Sequence, residues 1–477
     1  MSKILFVQNI RFEQIGLMSL SACLKAAGHD CQLFIGSSLK DVERALRRYQ
    51  PDVLGFSLMS GMHLWANALV ADIRKLDLPK RPFIIYGGPH PTFFPGVLEA
   101  SEIDAICIGE GEGAIVDLAN SLARGETPRD IPNLRIRTPD GISETPVRSL
   151  VKVDELPMPD RGLYYKLRFF RSEPTKSFMT GRGCPYNCTF CYNAAIRELY
   201  RGKGSFVRQR APELIVEEIL DVKQRWGLKT VLFYDDTFGL DKDWTLRFLS
   251  LYQQKIGLPF LCRIRANSAD DELIGALKAA GCATVFFAIE TANEELRDKV
   301  LRKHIRDSDI RSIAESLRRH RIQFFTYNMV GIPDQSIEDI YATIRLNIEI
   351  GTNYPWCSIF APYPGTELGT RCIEKGLLPA DFGPNDLATT YHRAAFVGKD
   401  DADEVANLHK FFQLAVLVPS LFPLLKRMAK WRPNPFFTAI FAGVYFINYL
   451  RSERRALGRT LLLAYHNMAD LLGRPDE

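Results

Sequence analysis

Gly181-Arg182-Gly183-Cys184-Pro185-Tyr186-Asn187-Cys188-Thr189-Phe190-Cys191-Tyr192 sets three cysteines in a C-x-x-x-C-x-x-C pattern. The residues before it, Ser177 to Thr180, read as a short strand, so the thiols fall on the loop after that strand. Three thiolates on one short loop can hold three irons of a cubane cluster, and no fourth cysteine lies nearby. One iron is then left open to another ligand. A zinc knuckle would call for a fourth Cys or His close by. A chance grouping of buried cysteines would leave the flanking Gly183 and Pro185 and the aromatic Phe190 unexplained.

On the carboxyl side of this loop, short apolar runs recur with helical patterns between them. The runs are Thr230 to Tyr234, Phe260 to Ile264, Thr284 to Ala288, Gln323 to Met329 and Trp356 to Phe360, and the intervening patterns include Glu213 to Arg225 and Ala269 to Ala280. With Ser177 to Thr180 they make six βα units, which suggests a partial (β/α)6 barrel with its working residues at the carboxyl ends of the strands. On the amino side, Ile4 to Val7, Gln32 to Ile35, Val53 to Ser57, Phe83 to Tyr86 and Ala105 to Ile108 are apolar without alternation. Such runs belong to parallel strands buried on both faces. With helical patterns at Leu17 to Ala27, Leu39 to Tyr49, Leu64 to Leu76 and Ala114 to Arg124, they predict an α/β, Rossmann-like doubly wound domain. The expected division is 1–125 for that domain, 126–175 for a Pro-, Arg- and Asp-rich linker with a small hairpin, 176–384 for the barrel and 385–477 for a helical, aromatic C-terminal region.

The composition agrees with a folded chain of several domains: 477 residues, 46% hydrophobic and 25% charged. Overall charge is 61 − 56 = +5, yet Leu421 to Thr460 alone carries eight cations (Lys426, Arg427, Lys430, Arg432, Arg451, Arg454, Arg455, Arg459) against Glu453. Ten irregularly spaced cysteines do not resemble a disulfide framework, and Met1 to Leu5 leads into a strand rather than a signal peptide, so a reducing, cytoplasmic location is expected. The apolar runs Phe411 to Leu425 and Phe436 to Leu450 have 15 residues each, short of a membrane span.

The cysteine loop and the βα units after it resemble the radical S-adenosylmethionine (SAM) superfamily over about residues 175 to 370. Further matches fall at successive strand ends: Asp235-Asp236-Thr237-Phe238, Arg265, Glu290 in Ala288-Ile289-Glu290-Thr291, Gly331-Ile332-Pro333, and Pro362-Tyr363-Pro364-Gly365-Thr366. Ala288 stands where that family usually has Gly. The resemblance implies a 4Fe-4S cluster on Cys184, Cys188 and Cys191. It further implies SAM bound at the open iron, and an electron from the cluster that breaks the sulfonium bond to give a hydrogen-abstracting deoxyadenosyl radical. Phe190 matches the aromatic beside the adenine, and Tyr192 supplies backbone there. Asp235, Asp236, Arg265, Glu290 and Ile332 match the remaining SAM positions.

In the first domain, Pro51-Asp52-Val53-Leu54-Gly55-Phe56-Ser57, Gly87-Gly88-Pro89-His90-Pro91-Thr92 and Gly109-Glu110-Gly111-Glu112 end three of the strands. Glycines there let backbone amides approach a large ligand, and the lack of G-x-G-x-x-G after the first strand argues against a dinucleotide. These motifs are similar to the cobalamin-binding domain that precedes some radical SAM domains. That likeness implies cofactor contacts from Ser57, Gly87, Gly88, His90, Gly109, Glu110 and Gly111. D-x-H-x-x-G is absent, so no histidine of the chain is expected at cobalt, although Met59, Met62 and His63 lie on the loop after the third strand.

Together the two resemblances imply a cobalamin-dependent C-methyltransferase acting on an unactivated carbon of a hydrophobic or natural-product substrate. Its electron donor would be a reductase or a flavodoxin or ferredoxin. A radical rearrangement or an anaerobic oxidative cyclisation is the alternative chemistry. A methylthiotransferase lacks support, without N-terminal cluster cysteines or a C-terminal β-barrel. A cobalamin carrier or light sensor would leave the cysteine triplet unexplained. The basic, aromatic tail reads either as a helical cap on the barrel mouth or as a surface that meets anionic membrane and admits a lipid-like substrate. No nucleic-acid-binding module is recognisable.

Overall fold

Ile4, Leu5, Phe6 and Val7 are at most 3% exposed and form the middle of β1 (Lys3–Gln8). The first series then runs α1 (Ile15–Ala26), β2 (Asp30–Ile35), α2 (Leu39–Tyr49), β3 (Val53–Ser57), α3 (Met62–Lys75), β4 (Phe83–Gly87), α4 (Pro89–Phe93), α5 (Val97–Ala100), β5 (Ala105–Cys107) and α6 (Glu112–Ala123). Ser38 caps α2, its side chain accepting the Asp41 N–H. These strands pair in parallel in the order β2-β1-β3-β4-β5, which is that of a doubly wound sheet with its switch point between β1 and β3. The sheet does not stop at residue 125. β6 (Leu134–Thr138) and β7 (Gly141–Glu144) form the expected hairpin and extend the same sheet by two antiparallel strands. Pro139-Asp140-Gly141 makes the turn, with Gly141 at φ 126°.

The computed structural model describes residues 1–387 and 401–453. It groups them into two compact units, and the chain passes between them more than once. Unit 1 is Met1–Glu173, including α7 (Gly162–Tyr165) and α8 (Arg168–Arg171), together with Gly181–Pro185 and Asn193–Gly227. Those later segments carry β9 (Gly181–Arg182), nearly all of α9 (Tyr192–Leu199), β10 (Arg208–Gln209) and α10 (Pro212–Trp226). α10 is fixed to unit 1 by a buried ion pair, Arg161 donating to Glu218 from Nε at 3.0 Å, with Arg210 on the other carboxylate oxygen.

Unit 2 holds β8 (Thr175–Phe178), β11 (Thr230–Phe233), α11 (Lys242–Lys255), β12 (Phe260–Arg263), α12 (Asp271–Ala279), β13 (Cys282–Glu290), α13 (Asp307–Arg319), β14 (Gln323–Val330), α14 (Ile337–Ile350), β15 (Tyr354–Ile359) and α15 (Glu367–Glu374). All six strands expected from the sequence are present, parallel, in the order β8-β11-β12-β13-β14-β15. Phe178, Phe233, Phe260, Phe287 and Phe324, one in each strand but β15 and on the helix-covered side, are at most 1% exposed.

The tail adds α16 (Ala402–Leu417), α17 (Phe422–Ala429) and α18 (Pro435–Glu453). Leu408, Phe411, Phe412, Ala415 and Val416 of α16 share one core with Ile340 and Ile344 of α14 and Cys357 and Ile359 of β15. That packing covers the side of the sheet where β15 would otherwise leave an open edge. Among the described residues no helix is long and apolar enough to cross a membrane. Arg454, Arg455, Arg459 and the helical pattern toward Leu472 lie outside the described residues.

Candidate functional site

The cysteine loop is held at several points along its length. Thr180, just before it, donates its N–H and its hydroxyl to Asp235 Oδ1, at 2.9 and 2.7 Å. Gly183 has φ 87°, and a Cβ there would stand 2.2 Å from the Phe206 carbonyl oxygen, so no side chain fits beside Cys184. The Cys191 N–H closes a turn on the Cys188 oxygen at 3.1 Å. Between them Thr189 is buried, its hydroxyl donating to Val300 O at 2.7 Å, its N–H to Leu301 O and its carbonyl accepting from Leu368 N–H. Tyr192 then donates its hydroxyl to Pro364 O at 2.9 Å and packs on Tyr363, so the Pro362 to Thr366 motif anchors the loop's far end.

Cys184, Cys188 and Cys191 share with Cys23 a partial exposure that the other six cysteines, all buried, lack. All three are half-buried, and none of the ten cysteines is in a disulfide. Burial pushes the thiols of Cys31 and Cys107 up to about 12 and that of Cys23 to about 11, and raises Cys262 and Cys357 as well, so these are held protonated. A ligand must be a thiolate. Among the described residues no three His, Cys, Asp or Glu side chains converge on a single-ion site. A cubane asks for no such convergence, because each thiolate takes its own iron.

Around this loop the SAM-matching residues of unit 2 come together in two groups. Phe190 packs on the apolar cluster that contains Ile332, Leu301 and Phe360. Lys303 lies 6.0 Å from the Phe190 ring and donates to Glu290 Oε1 at 2.6 Å, both charged groups being buried. Glu290 reaches that position through a register shift at the end of β13 and a φ of 66°, a left-handed backbone costly for a bulky residue. Arg265 is buried with its guanidinium 3.7 Å over the Tyr186 ring, which is itself on the cysteine loop, and is steered by Asn267 at 2.9 Å. An apolar wall beside paired and unpaired charges fits an adenosyl group carrying an amino-acid end. Asp235 is engaged with Thr180, so its place is under the loop; Asp236 is exposed. Lys303, Tyr186 and Thr189 were not picked out from the sequence. Each acts through a partner distant in the chain, and none stands in a motif of its own.

In unit 1 the carboxyl ends of β1 and β3 leave an apolar rim at the switch point, where doubly wound sheets bind ligands. Phe12, Met59 and Leu64 are 47, 52 and 44% exposed there, and the buried Oδ1 of Asn9, just after β1, has no hydrogen-bond partner. Ser57 is half-buried on the same edge. A broad ligand with an apolar face and amide groups, as a corrin has, fits that rim. The neighbouring glycines answer to the chain's own packing as well. A Cβ on Gly88 (φ 91°) would meet Leu58 backbone at 2.9 Å, and one on Gly109 (φ 75°) would meet the Tyr200 hydroxyl at 2.1 Å. Gly87 ends β4 beside Cys107, and Gly111 precedes α6 against Leu20.

His90 is buried, stacked on His63 at 3.8 Å and hydrogen-bonded to Ser60 Oγ. Burial, helped by His63, takes its pKa down to about 3, so it is neutral. His63 is equally buried and accepts the Gly61 N–H at Nδ1. The Glu110 carboxylate takes Arg182 at 3.0 Å and Arg208 at 2.7 Å, while Glu112 takes the other arm of Arg182. β9 and β10, which pair with each other, are thereby tied to the loop after β5.

Two family models match the chain, the B12 binding domain over residues 9–119 and the radical SAM superfamily over 178–346. The chain belongs to the cobalamin-dependent radical SAM enzymes, whose cofactors are a 4Fe-4S cluster, SAM and cobalamin. An uncharacterized methyltransferase of Pyrococcus horikoshii is 28% identical over 375 residues, 76% of this chain and 79% of that protein. Cytidylyl-2-hydroxyethylphosphonate methyltransferase of Streptomyces wedmorensis is 24% identical over 424 residues, 80% and 78% of the two chains. The solved structure of OxsB, a cobalamin-dependent SAM radical enzyme with aqua-cobalamin and SAM bound, shares the fold at a TM-score of 0.69 and 15% identity. The match covers 98% of this chain and 75% of that one.

Proposed function

We propose that this enzyme transfers a methyl group to an unactivated carbon of a small molecule. The observation that carries the reading is the joint presence of the three-cysteine loop and the B12 binding domain in a chain whose relatives include methyltransferases. When bound, the cluster supplies an electron to SAM and cobalamin supplies the transferable methyl group. Cys184, Cys188 and Cys191 would hold the cluster. Phe190 and Ile332 would flank the adenosyl group, with Tyr192 fixing the backbone beside it, while Arg265 and the Glu290–Lys303 pair would orient its charged end. Asn9, Ser57 and the Met59 to Leu64 edge would hold cobalamin. A flavodoxin- or ferredoxin-type donor would supply electrons.

The test is anaerobic incubation of the holoenzyme with reductant, cell extract and SAM bearing a trideuterated methyl group. A product heavier by one trideuteromethyl group is expected, absent when SAM is omitted. A product that has lost two hydrogens and gained no label would instead identify an oxidative cyclisation and overturn methyl transfer.

A surface on α17 and the turn after it supports contact with anionic membrane and, with it, a lipid-like substrate. Leu424, Trp431 and Phe436 are 54, 59 and 64% exposed, and no acidic residue occurs between Val418 and Phe437. Lys426 is drawn onto the Tyr341 ring at 3.8 Å, which leaves Arg427, Lys430 and Arg432 facing solvent. Three such cations contribute about 3 kcal/mol at an anionic surface before any apolar insertion. The protein should sediment with phosphatidylserine-containing vesicles and not with phosphatidylcholine vesicles, less so at high salt. Equal, negligible sedimentation with both removes the membrane contact.

A further inference from the structure

The strand face opposite the helices carries a second set of residues that the cofactors do not account for. Phe286 of β13 stands in register with Arg263 of β12 on one side and Phe325 of β14 on the other, and Tyr327 of β14 with Trp356 of β15. Phe286, Phe325 and Tyr327 are in mutual ring contact, with centroids 4.9 to 6.2 Å apart. Unlike the helix-side phenylalanines, Arg263, Phe325, Tyr327 and Trp356 are only half-buried, and Tyr234, just past β11, is 38% exposed. Alternation along a parallel strand places all of them on one side of the sheet, opposite the helix-side phenylalanines, where Trp356 also meets Tyr445 of α18 at 5.4 Å.

Arg263 lies among these rings. Its guanidinium is 3.9 Å over Tyr234 and 5.6 Å from Phe286, with the Tyr327 hydroxyl as a hydrogen-bond neighbour. Among the described residues no carboxylate forms an ion pair with it, whereas the buried Arg161 and Arg297 and the half-buried Arg182 and Arg208 each hold one. Asp235 acts on it only at longer range. Its Nη1 is buried without a hydrogen-bond partner. A shielded guanidinium N–H left unpaired is costly, and the planar fork matches a carboxylate or a phosphoryl group. The position is two residues before Arg265 on the same chain, about 7 Å along a strand.

We infer that this face is the substrate seat and that it takes an amphipathic anion, with an apolar, preferably flat body against Phe286, Phe325, Tyr327 and Trp356 and a carboxylate or phosphoryl group on Arg263. The inference rests on the reading of the barrel as the catalytic one and names the substrate class of that site. It requires no particular outcome of the radical reaction, because occupancy is separate from turnover.

Binding to the anaerobic holoenzyme is measured by equilibrium dialysis with three probes that share one body: naphthylacetate, naphthyl phosphate and the neutral naphthylacetamide. At least one anion should bind about tenfold tighter than the amide, its identity telling carboxylate from phosphoryl recognition. Arg263→Gln should erase that advantage while keeping iron and cobalamin content, and Phe325→Ala should weaken all three probes. Equal affinity for amide and anions, an advantage that survives Arg263→Gln, or no binding of any probe overturns the inference. Each of these results is independent of whether label from SAM reaches a product.

Discussion

Cys188→Ala will bring reductive SAM cleavage, read as deoxyadenosine formation, down to the level of a control without enzyme. Cobalamin binding, read as the absorbance change on titration, will stay at the wild-type value. The loss comes from ligand count: three thiolates leave one iron open, and two cannot hold a cubane. Burial keeps the thiols of Cys31 and Cys107 protonated up to about 12 and raises that of Cys357, so none of these offers a ready thiolate in its place. Iron and sulfide content should fall with the activity, while thermal unfolding of the iron-free proteins should coincide, because Cys188 is half-buried and lies outside the apolar cores. Cys23→Ser is the matched control: also half-buried, with its thiol pushed to about 11 mainly by burial, it should leave iron content unchanged. Wild-type iron content and retained deoxyadenosine formation in Cys188→Ala would remove the cysteine from the ligand set.

The strands were legible because each is a short run with a strong local signature. Ile4 to Val7 and Val53 to Phe56 are apolar at every position because both faces of a central parallel strand are covered. In unit 2 the same logic gives all six strands to within a few residues. The edge of the first sheet was less legible, since Leu134–Thr138 alternates Arg with apolar residues and pairs antiparallel, as a half-exposed strand does. The site divides in the same manner. Cys184, Cys188 and Cys191 announce themselves by spacing, and Phe190, Arg265, Glu290 and Ile332 by position at strand ends. Lys303 carries no such mark. It pairs with Glu290 only because the chain after a π-helical turn, Leu296–Val300, is pinned by the fully buried Arg297 to the carbonyls of Thr291 and Ile305. Phe411 to Leu425 reads as one apolar run, yet it is broken at Pro419. α16 is buried beside β15, and Leu424 beyond the break is exposed, a difference set by tertiary packing alone.

Glu110→Gln should destabilise unit 1 markedly although it touches none of the apolar core. Gly109-Glu110-Gly111-Glu112 looks like a ligand cradle in the sequence, but the Glu110 carboxylate bridges Arg182 of β9 and Arg208 of β10 and also accepts the Val151 N–H at 3.1 Å. Glutamine keeps the shape and removes the charge. Arg182 would retain Glu112, whereas Arg208 would lose its carboxylate and keep the Val151 carbonyl and at most the glutamine amide oxygen. Breaking a buried ion pair costs about 3 to 5 kcal/mol; with 17% of the Glu110 side chain exposed, the lower end of that range is expected. Burial works against the Glu110 charge, but the Arg208 hydrogen bond and the charges of Arg182 and Arg208 outweigh it and hold the carboxyl below its ordinary 4.5. That direction fixes the sign of the pH effect. A carboxyl depressed in the folded state contributes stability that is fully present above 4.5 and is lost as pH falls through the lower folded value. The gap in unfolding midpoint between wild type and Glu110→Gln should therefore be largest near neutrality and close progressively below about pH 4.5. Because Arg182 is two residues from Cys184, the variant should also lose iron faster to a chelator at pH 7. A midpoint gap that is negligible at pH 7, or one that does not shrink in acid, would show that the bridge contributes nothing to holding the strand that leads into the cysteine loop.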